Sequence, residues 1–493
     1  MTVAASRSRP TGAAAPSRAL VCAALVAMLA GCVAGPDYVR PAVETPPAWK
    51  VEAPWREGTP DDAAPKGPWW QRFGDARLDA LQAEALAQSP TLALASARLA
   101  QSRAVVAATS AGLLPSVNLN ARALRQRISA NRPLSNYASP NFSTVQNDFL
   151  SSLVVNYEID LAGRVRRTIE GARASAEQST ADFENTRLLL TAELATDYYT
   201  LREVDIELDV LNRSIALQRR SLDLATARHD LGAASGLDVA SQQALLDSTL
   251  TQVELLYRQR TQFEHAIATL TGTAAPVFKV APDVRELVPP AVPIGVPSDL
   301  LERRPDVASA ERAMAAANAQ IGVATAAFYP SITLAPAYGV ESSALSTLFR
   351  SSSLLWSFGV AIAQPIIDSG RLKANVDFAK GGYDLTVANY RRIVLTAMQE
   401  AEDGITGLAA LERASAQANA AIASSQKVLD LANARYEGGV ATYLDVITAQ
   451  QSLLTNERLA AQLRGQRLLT AVFLVKALGG DWAGASTVAT SGK

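Results

Sequence analysis

The chain has 493 residues, of which 48% are hydrophobic, 19% charged and 6% aromatic. Its formal net charge of −1 at pH 7 excludes the strong positive field that nucleic-acid binding requires. The two cysteines, Cys22 and Cys32, both lie in the first 32 residues, so the rest of the chain has neither a disulfide framework nor a cysteine metal site. The two histidines, His229 and His265, are expected to be solvated helix residues, so we predict no metal ion and no cofactor.

Residues 1–31 have the three zones of a secretory signal peptide: a basic start, an apolar stretch from Ala19 to Ala30, and small residues before a cleavage site. The site Leu29-Ala30-Gly31-Cys32 resembles the bacterial lipobox, in which the cysteine is acylated and becomes the new N-terminus. We therefore expect Cys32 to be the lipid anchor. By the same resemblance, Val33 at the next position points to the outer membrane. The alternative is an ordinary signal peptide with a chance cysteine.

An internal duplication organises the remaining chain. The first copy contains Arg228, Gly232, Leu237, Asp238 and Val239, which recur with the same spacing as Arg435, Gly439, Leu444, Asp445 and Val446. The predicted organisation is an N-terminal anchor and equatorial segment (32–89), a first repeat (90–272), a linker and equatorial segment (273–304), a second repeat (305–479) and a C-terminal equatorial tail (480–493).

A long coiled-coil helix is predicted in each repeat. Apolar residues in the first repeat fall seven apart, at Leu194, Leu201, Leu208, Ile215 and Leu222. Such a repeat under-winds the helix and produces a left-handed supercoil with its neighbours. The segment between the glycines at 163 and 232 would be roughly 100 Å long as a helix, and the shorter helices 90–114 and 236–270 stacked end to end would match it. The segments outside the helices would then meet as a belt.

Two hairpins with a period of two are predicted at 116–161 and 331–366. Apolar side chains alternate with small or polar ones in four runs, at Val117, Leu119, Leu153, Val155, Tyr157, Ile159, Ile332, Leu334, Tyr338, Val340, Leu354, Trp356, Phe358, Val360 and Ile362. Each run has about 10 residues, the length of a tilted transmembrane strand with lipid on one face. Pro336 is tolerable near a strand end or bulge. A half-buried soluble sheet is the alternative.

Four strands cannot close a barrel in lipid, because about eight is the smallest number with a fillable interior and exposed strand edges are prohibitive there. The chain is therefore expected to oligomerise. Two copies would give eight strands and a plugged pore, whereas three would give twelve strands and an aqueous lumen.

Several motifs resemble those of the TolC-like outer membrane factors, and in particular the lipidated efflux and nodulation-type branch. They are Cys32 with 35–41, the aromatic residues Trp69, Trp70 and Phe73, the stretch 303–307, and the stretch 327–332. The resemblance implies an all-α plus membrane-β fold: a homotrimer with a twelve-stranded outer-membrane barrel, a periplasmic helical coiled-coil barrel and an equatorial mixed belt. It also implies two partners, a periplasmic adaptor and an inner-membrane pump of the RND type.

The family's periplasmic gate lies at the helix-hairpin tips, here 231–238 and 439–445. The resemblance puts one of two acidic rings on Asp445, the second on Thr448 and a gate-bonding arginine position on Ala441. These departures favour a looser closure by Leu444. The alternative is that Asp445, like Asp238, caps its helix. The resulting site predictions are a gate of Leu444, Asp445, Thr448 and Asp238, and an adaptor contact of Arg228, Gly232, Leu237, Arg435 and Gly439.

The sequence therefore predicts a passive outer-membrane exit duct, anchored by lipid, extending into the periplasm and receiving small molecules from a pump. An enzyme is disfavoured because the sequence has no nucleophile elbow, phosphate loop or metal cluster. The remaining alternative is a trimeric coiled-coil structural or adhesin-like outer-membrane lipoprotein, which predicts unbroken heptads and no duplicated amphipathic strands.

Overall fold

A computed structural model describes residues 33–41, 67–129, 144–285, 287–290 and 303–480. This part of the chain is mostly helical, with one small sheet. Its α-helices are α1 (Ala76–Gln88), α2 (Pro90–Ser110), α3 (Arg164–Asp230), α4 (Gly236–Leu270), α5 (Pro305–Ala326), α6 (Arg371–Glu437) and α7 (Tyr443–Ala477). Its strands are β1 (Ser116–Ile128), β2 (Thr144–Ile159), β3 (Ser331–Leu334), β4 (Ala337–Ser342), β5 (Leu354–Ser357) and β6 (Val360–Ala363).

The duplication is visible in the helix lengths. Helices α3 and α6 each have 67 residues, and α4 and α7 each have 35. The predicted combination of long helices with a small sheet is confirmed. Across the described residues, no helix is both long enough and apolar enough to cross a membrane.

The chain divides into two compact units. Among the described residues, the first unit comprises 33–39, 103–129, 144–175 and 314–386, and it contains all six strands. The second unit comprises 40–41, 67–102, 176–285, 287–290, 303–313 and 387–480, and it contains the two turns that join α3 to α4 and α6 to α7.

The sheet of the first unit is antiparallel, with β2 pairing β1 on one side and β3 and β4 on the other. Strands β3 and β4 pair in turn with β6 and β5. The second hairpin was predicted as two unbroken strands, but each is split in two. Pro336 lies between β3 and β4, and the register puts it opposite Phe358, between β5 and β6. It explains the interruption because proline has no N–H to donate to the neighbouring strand. Its carbonyl still accepts from Val155 N at 2.9 Å, so the register is the same on both sides of the break.

The segment after Cys32 packs against the start of α3 in the first unit. The Arg167 side chain, only 4% exposed, donates to the carbonyls of Ala34 and Gly35 and forms an ion pair with Asp37 at 2.8 Å. Gly35 has φ +90°, and a Cβ there would lie 2.5 Å from Cα of Gly322. A glycine is therefore required at this close approach.

An aromatic core in the second unit includes part of the segment that was predicted to be only an anchor and a belt. Trp69, Trp70 and Phe73 are buried in one cluster with Tyr198. Helix α1 follows them because Asp75 caps its N-terminus with Oδ1, while Oδ2 accepts from the Tyr198 hydroxyl at 2.8 Å. A helix within 32–89 was not predicted from the sequence.

The heptad positions of α3 form the predicted apolar seam. Leu194 and Leu201 are fully buried in the aromatic core, and Leu208 and Ile215 are buried in a second cluster with side chains of α4 and α7. Leu222 packs at the edge of that second cluster. The seven-residue spacing thus places one side of α3 in contact with its neighbouring helices throughout this region.

Candidate functional site: an apolar sheet face and two helix-hairpin tips

One face of the sheet is apolar and exposed. The register aligns Leu119, Leu153, Tyr338 and Trp356 in one row across four strands. Their exposed fractions are 69%, 48%, 58% and 73%, respectively. Side chains of this kind on the surface of a sheet indicate that the face contacts another apolar phase or partner.

The apolar face continues above and below that row. The neighbouring rows are Ile159, Ile332 and Ile362; Tyr157, Leu334 and Val360; Ala121, Ser151, Val340 and Leu354; and Ala123, Phe149 and Ser342. The span from 149 to 159 is about 33 Å along β2 and about 25 Å at a tilt near 40°, which matches the apolar band of an outer-membrane barrel. The opposite face bears polar residues such as Asn118, Asn120, Ser152 and Ser357, together with apolar ones such as Leu150, Val154 and Leu355.

The first helix-hairpin tip lies between α3 and α4. Gly232 has φ +74°, the left-handed conformation that commonly ends a helix. Ser235 then caps α4: its hydroxyl accepts from Leu237 N at 3.1 Å, and Asp238 Oδ2 accepts from Ser235 N at 3.1 Å. Asp238 is therefore held by a capping box at the start of its helix.

The second tip lies between α6 and α7 and repeats this geometry. Gly439 has φ +71°, and Asp445 Oδ2 accepts from the backbone N–H of Thr442 at 3.1 Å and from its hydroxyl at 3.0 Å. The Thr448 hydroxyl donates to the carbonyl of Leu444 at 2.8 Å. The Leu444 side chain itself is 66% exposed. Both predicted gate carboxylates thus have the helix-capping geometry that was considered as the alternative.

Contacts between aromatic and polar side chains join the two tips. The Arg228 guanidinium lies over the Tyr436 ring at 4.7 Å from its centroid, and the Tyr436 and Tyr443 rings are 5.0 Å apart. The Tyr443 hydroxyl donates to Oε1 of Gln242 at 3.1 Å, whose amide nitrogen donates to the Gln218 carbonyl. Residues of the first repeat are thereby tied to residues of the second. We call Arg228, Tyr436, Tyr443 and Gln242 the tip latch.

Burial raises the pKa of the Tyr443 phenol to about 12, and the negative charge of Asp238 contributes to the shift. The phenol therefore remains protonated at neutral pH and keeps its hydrogen bond to Gln242. Of the tip latch, the sequence analysis had assigned a role only to Arg228. No role was predicted for Tyr436, Tyr443 or Gln242, and nothing in the sequence spacing of Tyr443 and Gln242 indicates that they meet.

The outer surface of the tips is apolar. Leu231, Leu237, Val440 and Leu444 are 84%, 72%, 68% and 66% exposed, respectively. Arg435 lies beside the tip latch residue Tyr436 in sequence and is also exposed. Several large apolar side chains are therefore exposed together at one end of the hairpins.

A carboxyl group on α3 lies away from the tips, against the backbone of α7. A Cβ on Gly465 would collide with the Glu203 carboxylate, so the glycine leaves room for it. Burial raises the pKa of Glu203 to about 7, and the Glu207 carboxylate adds to the shift. Glu207 itself is paired with Arg458 of α7.

The predicted anchor, Cys32, lies outside the described residues. Within the described part of the chain, no group of three or more His, Asp or Glu side chains is placed to hold a metal ion.

Known proteins share this organisation of an amphipathic sheet and long helix hairpins. The outer membrane efflux protein family model matches residues 81–273 and 296–480. The chain is 34% identical over 469 residues to the toluene efflux pump outer membrane protein TtgF of Pseudomonas putida, with 93% of this chain and 96% of that protein covered. It is 32% identical over 466 residues to outer membrane protein OprJ of Pseudomonas aeruginosa, with coverages of 94% and 96%.

Solved structures agree. The outer-membrane channel OprN superposes with a TM-score of 0.83 at 28% identity, over 92% of this chain and 100% of that one. CusC superposes with a TM-score of 0.80 at 26% identity, over 91% of this chain and 100% of that one.

The fold and the sheet face thus define an outer-membrane channel component of an efflux pump. The chain belongs to the outer membrane efflux protein family.

Proposed function

We propose that three copies of this chain close a twelve-stranded barrel in the outer membrane, and that the helix-hairpin tips gate the periplasmic end of the duct. The observation that supports the barrel is that the sheet has two edges, one at β1 and the other at β5 and β6. Within the described residues, β1 pairs with β2 alone, and β5 and β6 each pair with one strand. Such edges are very unfavourable next to lipid.

The sheet has four strand lines per chain, because β3 and β4 form one line and β5 and β6 another. Three copies give twelve lines, enough for a water-filled lumen, whereas two give eight and an interior filled by side chains. Mass measurement of the detergent-purified protein tests this stoichiometry. Three protomers per particle are expected, and a dimer or monomer that still conducts ions would contradict the proposal.

The gate is proposed at Leu444, Asp445, Thr448 and Asp238, held closed by the tip latch. In each of Asp445 and Asp238, one carboxylate oxygen accepts the capping hydrogen bonds. Capping fixes the position of the side chain and leaves its negative charge facing solvent. Three Asp445 carboxylates around an axis would repel one another and attract cations, as in other channel rings. Thr448 stands where a second acidic ring would be, so the gate has to close in another way. The exposed apolar side chain of Leu444 is proposed to close it.

The partners are proposed to be a periplasmic adaptor and an inner-membrane pump of the RND type. Support for adaptor docking comes from the exposed apolar tips and from Gly232 and Gly439, where a Cβ would meet no other atom within 4 Å. A partner helix can therefore approach the backbone closely at these two points, next to Arg228, Leu237 and Arg435. Disulfide cross-linking from Gly439→Cys to cysteines placed along the adaptor hairpin tests the contact.

A lipid anchor at Cys32 is proposed as well. Ala34 N donates to the carbonyl of Ala162 at 3.0 Å, so the chain two residues after Cys32 lies just past the end of β2. An acyl chain on Cys32 would be close to the apolar band of the sheet. Metabolic labelling with a palmitate analogue is expected to mark the natural chain and not Cys32→Ser.

The transport role is that of a passive exit duct without catalysis, which passes on small molecules delivered by the pump. Support comes from the exposed apolar face of the sheet and from the long helix hairpins, and the selection of cargo is assigned to the pump.

A further inference from the structure

The apolar band of the sheet ends in two arginines. On β1 the odd-numbered side chains lie on the same face as Leu119, and the band closes with the row of Ala123 and Phe149. The next two odd positions are Arg125 and Arg127, and both are exposed. The two positions therefore follow directly after the apolar rows on the same face, and their Cα atoms are about 7 Å apart along the strand.

The acidic residues at this end of the sheet lie on the other face. Asp148 forms an ion pair there with Arg122, and Glu341 lies on the same side because it pairs with Leu150. Arg125 makes no ion pair with any described residue. The two arginines thus lie on the apolar face, whereas the carboxylates of Asp148 and Glu341 lie on the opposite face.

The position of the arginines along the strands corresponds to the depth of lipid headgroups. They lie near the hairpin end of β1 and β2, whereas α2 and α3 connect at the opposite end of these strands. At a tilt near 40° the two rows lie about 5 and 10 Å beyond the apolar band. The headgroup layer on each side of a bilayer is about 5–8 Å thick, so the row of Arg125 lies within it and the row of Arg127 lies at its outer edge.

We infer that Arg125 and Arg127 bind the phosphate groups of phosphorylated glycolipids in the outer leaflet. A guanidinium matches two phosphate oxygens with two parallel N–H donors. The acyl chains of the same lipid lie against the apolar rows next to the arginines. One lipid molecule therefore contacts both the arginines, through its phosphates, and the apolar side chains, through its acyl chains. The inference rests on the proposed membrane orientation, in which the helices extend into the periplasm.

The test is a binding titration with the purified full chain in detergent, using a fluorescent glycolipid that carries two phosphates. The Arg125→Gln, Arg127→Gln double variant is expected to bind it about 25-fold more weakly, at about five-fold for each arginine. The dephosphorylated glycolipid is expected to bind both proteins equally. Inorganic phosphate at millimolar concentration is expected not to compete, because it lacks the acyl chains.

Arg122→Gln is the matched control, because it removes a positive charge from the same strand on the opposite face. It is expected to retain natural affinity. Equal affinity of the double variant and the natural chain would overturn the inference, as would an equal loss in Arg122→Gln. Full competition by inorganic phosphate would overturn it too, by revealing a free-anion site.

The channel itself is measured separately, by the conductance of the double variant in planar bilayers. Conductance equal to that of the natural chain, together with weaker lipid binding, supports the inference. If the natural chain does not conduct at all, the proposed function fails, while the titration still decides whether the arginines bind lipid phosphate.

Discussion

The guanidinium of Arg228 lies over the ring of Tyr436, and this contact joins the hairpin of the first repeat to the hairpin of the second. The two residues belong to helices α3 and α6, which have the same length and occupy corresponding places in the duplicated chain. A contact between non-equivalent positions of two repeats can hold the tips in one arrangement, and its loss frees them to move apart.

Arg228→Ala is expected to loosen the gate. A cation–π contact at a partly exposed site contributes about 0.5–1 kcal/mol, which corresponds to an increase of about two- to five-fold in the open fraction. Cells that carry the variant should become more sensitive to a large hydrophilic antibiotic that the outer membrane otherwise excludes. Arg219→Ala, at an exposed position earlier on α3, is the control and should leave sensitivity unchanged. Equal sensitivity of the two variants would refute the latch.

Tyr443→Phe is expected to destabilise the tips by about 1–2 kcal/mol, because Gln242 Oε1 loses its donor. Tyr436→Phe keeps the ring beneath Arg228 and should cost less. Protection of the tip backbone amides from hydrogen exchange measures both effects. The difference should be constant from pH 6 to 9, because burial raises the pKa of Tyr443 to about 12. A difference that disappears by pH 9 would contradict this assignment.

The variants Leu119→Arg and Asn120→Arg place an arginine on opposite faces of β1 at nearly the same position along the strand. An arginine near the middle of the apolar band costs about 2–4 kcal/mol when it faces lipid and much less when it faces water. Leu119→Arg should therefore lower the amount of folded protein in the outer-membrane fraction, and Asn120→Arg should not. Equal amounts of the two variants would indicate that the exposed face does not contact lipid.

Glu203 predicts a pH dependence of stability. Its pKa is raised to about 7 in the folded protein, above the unfolded value near 4.3. The folded state thus binds the proton more tightly than the unfolded state. Protonated Glu203 therefore contributes to the free energy of unfolding in full below about pH 4.3, and this contribution is lost as pH rises through 7. A shift of this size corresponds to roughly 3–4 kcal/mol at most.

Melting temperatures of the natural chain and Glu203→Gln provide the measurement. The variant should melt higher at pH 8 and close to the natural chain at pH 5. Glu437→Gln, at an exposed position on α6, should show no such pH-dependent difference. A Glu203→Gln difference that is the same at both pH values would refute the role of burial.

The regular parts of the fold follow from periodicity. Spacing of seven predicted the seam of α3, and spacing of two placed Leu119, Leu153, Tyr338 and Trp356 on one face, because side-chain direction is set by local geometry. The split at Pro336 follows from its missing N–H and was anticipated as a possible bulge. Helix α1 was missed because a short helix beside tryptophans has a weak pattern of its own.

The tip latch could not be predicted in the same way. Arg228 and Tyr436 are distant in sequence, and their contact depends on how two long hairpins pack. The capping roles of Asp238 and Asp445 are local, and sequence reasoning considered them. The gate and adaptor roles depend on neighbouring subunits and partners, so those assignments are proposals.

The central claim is that this chain forms a water-filled pore across the outer membrane. The most direct measurement is single-channel recording of the purified protein in planar bilayers, with Asp445→Ala beside the natural chain. We expect discrete, cation-favouring conductance steps for the natural chain and weaker cation preference for the variant. Absence of conductance in both would contradict it.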